Sequence, residues 1–245
     1  MTRAGDRNAD SDTRASESMN DVPPLVVDVD GTLTGPDRAV DPRVFPVLRE
    51  WTAPVVVATG KAFPFPIALC DFLGIELCVI AENGGVVFVG QTDALTMAGE
   101  PEAAAAVADA YRERGHDLGW GPLDFANRWR ETELAVSRDQ PLEPLQELAT
   151  EYGLVVVDTG FAYHVKAPDV DKGTGLEIVA DELDLSPEAF LAVGDSENDA
   201  PTFELAGEAV AVANADDTAK AAADWQTDAA YADGFLEAIR VYFDE

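Results

Sequence analysis

The sequence predicts an α/β fold: a Rossmann-like core built on a parallel sheet, interrupted by an inserted α+β module. Three observations carry this. Short all-apolar runs (Leu25–Val27, Val55–Ala58, Leu77–Ile80, Phe190–Val193, Ala209–Val212) recur between segments of helical spacing. Continuous apolar strands joined by helices indicate a parallel sheet covered on both faces. Several runs also end abruptly in carboxylates or a hydroxyl, and such strand ends are where open α/β sheets place ligand sites. Finally, the strand–helix rhythm breaks once, over residues 85–165, and then resumes.

Residues 1–21, rich in Ser, Asp, Arg and Asn without periodicity, read as a disordered extension, and Met19 is an alternative start to Met1. Leu25–Asp28 reads as a buried strand. Asp41-Pro42 is an N-cap with proline at the first helical position, and Val44, Val47, Leu48 and Trp51 follow at helical spacing. Val55–Ala58 is a second strand, ending in Thr59-Gly60-Lys61. A short helix through Ile67, Leu69 and Phe72 stops at Gly74, before a third strand, Leu77–Ile80.

The rhythm changes after Glu82-Asn83-Gly84-Gly85. A strand (Val86–Val89), an Ala-rich helix near 101–115, and a loop with Gly119, Gly121 and Pro122 come first. An alternating strand (Arg128–Val136), a helix near 141–152, and strands Leu154–Val157 and Phe161–Lys166 follow. The parallel rhythm returns at Asp171-Lys172-Gly173 with a helix to about Leu183. The strand Phe190–Val193, a helix to Gly207, the strand Ala209–Val212 and a helix near 232–243 complete the chain. Residues 22–84 and 166–245 are therefore the expected core domain, and 85–165 the inserted one. No internal repeat is visible.

The charge is the unusual quantity: 47 acidic residues against 16 basic, a net of −31, with only four lysines. Self-repulsion at this level is relieved by salt screening and reads as adaptation to a salty, halophilic cytoplasm. No basic stripe exists to neutralise phosphates, so no nucleic-acid partner is expected. No apolar run approaches the roughly 18 residues of a membrane span, and no secretory apolar region precedes the first strand. The expected location is cytoplasmic, without membrane attachment. Cys70 and Cys78 lie in apolar stretches without CxxC spacing and read as buried thiols.

The chemistry lies at the strand ends. Asp28 and Asp30, two apart, share one face of a strand, and Gly31 permits the turn that exposes them. Asp195 and Asp199 form a second cluster after another strand. Two such clusters can hold a hard cation such as Mg²⁺, and a carboxylate beside it can attack phosphorus. A calcium loop is excluded, because the glycine it needs at its sixth position would fall on Leu33 or Ala200. Thr59-Gly60-Lys61 can cradle a phosphate, but Ala62 stands where a P-loop requires Ser or Thr. Gly173-Thr174-Gly175 lacks the third glycine of a dinucleotide fingerprint. His116 and His164 lack metal-ligand spacing and read as structural.

Taken in order, these segments resemble the haloacid dehalogenase superfamily of phosphatases. Asp28–Thr32 looks like its DxDGT motif, Thr59 its strand-end hydroxyl, Lys172 its helix-opening lysine, and Gly194–Asp199 its GDSxND motif. The insertion falls where the family's C2-type cap sits, and Glu82-Asn83-Gly84 and Val212-Ala213-Asn214-Ala215 also match that subgroup. The resemblance implies that Asp28 is the nucleophile and Asp30 the general acid–base. Thr59, Gly60, Lys172 and Asn198 would bind the phosphorylated substrate. Asp28, Asp195 and Asp199 would hold Mg²⁺, with Asp30 contributing its backbone carbonyl. The size of the cap resembles that of archaeal phosphoglycolate phosphatases, which implies a small phosphorylated metabolite. Arg130, expected to share a strand face with Arg128, is the candidate for its carboxylate. A sugar or polyol phosphatase and a phosphomutase remain as alternatives, and either a monomer or a homodimer is compatible.

Overall fold

The computed structural model describes residues 22–243. The N-terminal extension, 1–21, and the choice between Met1 and Met19 lie outside those residues.

The strands of the core are β1 (Leu25–Asp28), β2 (Val55–Ala58), β3 (Cys78–Ala81), β4 (Val86–Val89) and β5 (Ala94–Met97). The inserted module contributes β6 (Leu134–Ser137), β7 (Val155–Asp158) and β8 (Ala162–Lys166), and the core resumes with β9 (Leu191–Gly194), β10 (Glu208–Ala211) and β11 (Trp225–Gln226). The helices are α1 (Val44–Glu50), α2 (Pro64–Leu73), α3 (Pro101–Glu113), α4 (Leu142–Glu151), α5 (Lys172–Glu182), α6 (Ala200–Leu205), α7 (Asp217–Ala222) and α8 (Tyr231–Ala238). The main sheet has the order β11-β10-β9-β1-β2-β3-β4-β5. It is parallel from β11 to β3, and β4 and β5 add an antiparallel edge.

Strand alternation splits the core into two layers. Val26, Val56, Ile80 and Ala192 pack on one face against Leu176 and Val179 of α5 and Phe203 of α6. Leu25, Val27, Leu191 and Val210 pack on the other against Val44 and Leu48 of α1 and Phe235 of α8. The inserted module has its own core. There Val107 and Tyr111 of α3 and Leu145 and Leu148 of α4 cover the three-stranded antiparallel sheet β6-β8-β7. Cys70 and Cys78 are free and buried. Among the described residues no helix is long and apolar enough to cross a membrane.

Three expectations are corrected. Val86–Val89 does not open the module's sheet. It pairs antiparallel with β3 and then with β5, which moves the start of the separate module past Met97. Arg128–Val136 is a strand only from Leu134. Residues 124–130 instead form a turn, with Asn127 N and Arg128 N donating to the Asp124 carbonyl at 3.2 and 2.9 Å. The Asn127 side chain competes with strand pairing here, bonding both Ala135 N (2.7 Å) and Ala135 O (2.8 Å). Arg128 and Arg130 are thus not neighbours on a strand face. Finally, α1 begins at Val44, because the Asp41 carboxylate accepts from Arg43 N at 2.9 Å in a preceding turn.

Candidate active site

Parallel pairing of β1 with both β2 and β9 sets three strand ends side by side. Asp28 ends β1, Asp195 follows β9, and a short 3-10 turn, Glu197–Asp199, brings Asp199 back toward them. One carboxylate oxygen from each of Asp28, Asp195 and Asp199 lies within 4.8 Å of the others. Gly31 makes this approach possible: its φ is +89°, and a Cβ there would collide with the Asp195 carboxylate.

Lys172, the first residue of α5, reaches the same cluster. Asp171 caps that helix by accepting from Thr174 N at 2.9 Å. The Lys172 Nζ is fully buried and donates to Asp28 Oδ1 and Asp199 Oδ1, both at 2.6 Å. Asp199 Oδ2 accepts from Asp195 N and Ser196 N at 3.0 and 3.1 Å. Burial pushes Asp28 up to about 7, with Asp199 and Asp30 adding to the rise and Lys172 opposing it. Burial, then Asp28 and Asp199, push Asp195 up to about 8. Burial alone would depress Lys172, but Asp199 and Asp28 outweigh it and hold the ammonium above its ordinary range.

The residues fit a hard divalent cation. Asp28 Oδ2 and Asp195 Oδ1 are buried without any hydrogen-bond partner among the described residues. Orphaned carboxylate oxygens are costly, and an oxygen-seeking ion such as Mg²⁺ would satisfy both. With one lysine against three carboxylates, the cluster also carries excess negative charge when ionised.

The Asp30 side chain lies apart from this cluster. Its carboxylate pairs with Lys61 Nζ and lies 3.6 Å from Arg38 Nη2. Asp28, Asp30, Arg38, Gly60, Lys61 and Asn198 line a cavity of about 260 Å³ that the module closes with Arg130 and His164. A second chamber of about 350 Å³ shares Asn83, His164, Ser196 and Asn198 and reaches Lys172 and Lys166. Thr59 is buried, its hydroxyl accepting from Lys61 N at 3.2 Å, and Gly60 and Lys61 are the members of that segment on the cavity wall.

The seam between core and module is built from contacts that the sequence did not reveal. Glu82 accepts from Glu131 N (2.9 Å), Thr132 N (2.8 Å) and Thr132 Oγ1 (2.9 Å). Asn83 donates to Glu133 Oε2 and accepts from Asn198 Nδ2, both at 3.0 Å. Gly84, at φ +98°, packs where a Cβ would strike the Asp171 carbonyl. Arg130 is largely taken up by protein acceptors: Ala126 O at 2.9 Å, Gly60 O at 3.0 Å, and the Glu133 carboxylate. Burial would raise Glu133, but His164 and Arg130 outweigh it and keep its carboxyl below the usual range. Asn214 bonds Gly31 O (3.0 Å), Asp195 Oδ2 (3.2 Å) and Tyr231 N (2.6 Å), tying three segments around the carboxylates. The motif segments containing Asn83 and Asn214 were visible in the sequence, but their partners were not.

The chain matches the family model described as haloacid dehalogenase-like hydrolase over residues 25–122 and 135–239. It is 69% identical to a phosphoglycolate phosphatase of Haloarcula marismortui, covering 92% of this chain and 99% of that one. It is 61% identical to a phosphoglycolate phosphatase of Natronomonas pharaonis, covering 89% and 96%. Among solved structures, Thermoplasma acidophilum 0175 superposes with a TM-score of 0.78 at 25% identity, over 91% of this chain and 98% of that one. Clustered carboxylates, a buried lysine and a strand-end Thr-Gly thus stand within a matching fold and sequence, and the chain belongs to the haloacid dehalogenase-like hydrolases.

Proposed function

We propose that this hydrolase is a Mg²⁺-dependent phosphatase that cleaves a small phosphomonoester, 2-phosphoglycolate, through an aspartyl-phosphate on Asp28. The observation that carries the reading is Lys172 held between Asp28 and Asp199, beside the unpartnered oxygens of Asp28 and Asp195. With a divalent cation on the free carboxylate oxygens, that arrangement would suit a group bearing several negative oxygens. The names of the haloarchaeal relatives support the substrate assignment.

Asp28 attacks phosphorus through a carboxylate oxygen, forming the acyl phosphate as the ester oxygen leaves. Asp30, held at the cavity wall by Lys61, gives the leaving alcohol its proton and then takes one from the attacking water. Lys172, Thr59 and the Gly60 backbone receive phosphoryl oxygens and offset the charge that spreads over them. Asn198, on both chamber walls, fixes the substrate's position. Asp28, Asp195 and Asp199 would hold Mg²⁺, with Asp30 adding its backbone carbonyl. The ion supplies charge stabilisation to the phosphoryl oxygens. The inserted module serves as the cap that selects the substrate, in a high-salt cytoplasm suited to the net charge of −31.

The test is a panel of phosphomonoesters assayed with wild type and Asp28→Asn. Wild type is expected to prefer 2-phosphoglycolate, to stop with EDTA, and to recover with Mg²⁺. Asp28→Asn is expected to fold and to release no phosphate. A stronger preference for sugar or polyol phosphates overturns the substrate, and substantial turnover by Asp28→Asn overturns the covalent route.

A further inference from the structure

His164 stands on the central strand of the module's sheet, opposite Ala135 of β6 and Val157 of β7. Its ring is buried, yet it lines both chambers. Nδ1 lies 3.1 Å from Glu133 Oε1, and the side chains are only 5% and 1% exposed. Glu133 is fixed in turn by Asn83 and Arg130, so the ring is held by a carboxylate that is itself anchored to the core. An ionised carboxylate can only accept, so Nδ1 carries a proton. Nε2 has no hydrogen-bond partner among the described residues, and it belongs to a ring on the wall of the cavity that Asp28 and Asp30 line.

We propose that His164 is a specificity-determining residue that reads the substrate's carboxylate through Nε2, while Glu133 holds the ring through Nδ1. The inference rests on the phosphoglycolate reading above. A carboxylate seated against Nε2 requires a proton there too, so the ring becomes an imidazolium shared between two carboxylates. Arg130, on the same wall, is paired with Glu133 and offsets its charge, so the ring is left as the net cation at that end of the cavity. Lys61 and Arg38 line the same cavity but are paired with the Asp30 carboxylate. A phosphomonoester with a neutral tail gains nothing from this arrangement. The cap thus recognises a short acid by a buried cation that the acid itself completes.

The experiment compares wild type and His164→Asn on 2-phosphoglycolate and on 2-hydroxyethyl phosphate, whose tail is neutral. Asparagine can keep a donor near the Nδ1 position for Glu133 but offers nothing at Nε2. KM for 2-phosphoglycolate is expected to rise about ten- to a hundredfold, the usual cost of one charge-assisted hydrogen bond. Its kcat, and both constants for 2-hydroxyethyl phosphate, are expected to change less than about threefold. Equal losses on both substrates, or no loss on either, overturn the role of His164. If wild type itself shows no preference for the acid, the substrate reading has failed instead. A second measurement needs no variant. The chain has two histidines, so ¹⁵N NMR of the wild-type rings can follow His164 as glycolate is added. Movement of its nitrogens toward imidazolium supports the proposal, and shifts unchanged at saturating glycolate overturn it.

Discussion

Lys172 Nζ lies 2.6 Å from Asp28 Oδ1, although the two residues are 144 positions apart. The same ammonium is 2.6 Å from Asp199 Oδ1, so one fully buried cation joins the first strand of the core to the segment after β9. The charge is placed where α5 begins, and the whole inserted module lies between its two ends in sequence. The packing of these two segments, and the phosphoryl binding proposed for Lys172, would therefore rest on one side chain.

Replacing Lys172 by Met keeps the length and removes the charge. Breaking a buried ion pair from one side typically costs about 3–5 kcal/mol, because the remaining charge is left without a partner. Lys172→Met is expected to lower the urea midpoint and to abolish phosphate release. Lys172→Met with Asp199→Asn is expected to regain part of the stability and none of the activity. A single variant with an unchanged midpoint would show that the contact carries no stability.

The raised carboxylates give a pH dependence of definite sign. Asp28 and Asp195 titrate at about 7 and 8 in the folded chain, against about 4 when unfolded. Between those values the folded state binds more protons, so the metal-free protein loses stability as pH rises through that window. Mg²⁺ needs these groups ionised and competes with their protons. The gain in melting temperature on adding Mg²⁺ is therefore expected to be small near about pH 5.5 and to grow toward about pH 8. Both melts are run at one molar KCl concentration, so that screening is constant. A gain that is the same at both ends would remove Asp28 and Asp195 from the ligand set.

Much of this was legible because parallel strands buried on both faces are written as unbroken apolar runs. Leu25–Asp28 and Val55–Ala58 needed no more than that, and their ends delivered Asp28, Thr59 and Gly60. Lys172 was legible through the family resemblance, as the lysine that opens a helix directly after the insertion. Val86–Val89 was assigned to the wrong sheet because a buried strand carries no mark of its partner. Ala94–Met97, half exposed and interrupted by Thr96, offers no unbroken apolar run, and the two-residue β11 was too short to be read. The Glu133–His164 and Asn83–Glu133 contacts join residues 31 and 50 apart across a seam that only folding creates. Nothing in local periodicity encodes them.

The Arg130 guanidinium links the 124–130 turn of the module to Gly60 O of the core and to Glu133. Its side chain is 7% exposed, so Arg130→Ala leaves Glu133 and the Gly60 carbonyl with lost partners. The variant is expected to melt lower than wild type and to lose kcat/KM on both 2-phosphoglycolate and 2-hydroxyethyl phosphate. A loss confined to 2-phosphoglycolate, with melting unchanged, would instead make Arg130 a direct reader of the carboxylate.

Salt is expected to raise stability and substrate capture together. A chain of net charge −31 repels itself, and an anionic substrate must approach a wall that holds Asp28 and Asp30. Both effects act over distances that salt shortens, since the Debye length falls from about 10 Å at 0.1 M to about 3 Å at 1 M. Ion pairs on the exposed surface weaken over the same range, but each is worth only about 0–1 kcal/mol. Acidic residues outnumber basic ones almost three to one, 47 against 16, so relief of repulsion outweighs that loss. With Mg²⁺ saturating throughout, kcat/KM for 2-phosphoglycolate and the melting temperature are both expected to climb from 0.1 M KCl to molar levels. The buried contacts of Lys172 are shielded from solvent ions, so the salt response belongs to the surface and should persist in Asp28→Asn as a rise in melting temperature. Flat or falling curves for both quantities in wild type would remove salt adaptation as the reason for the acidic surface.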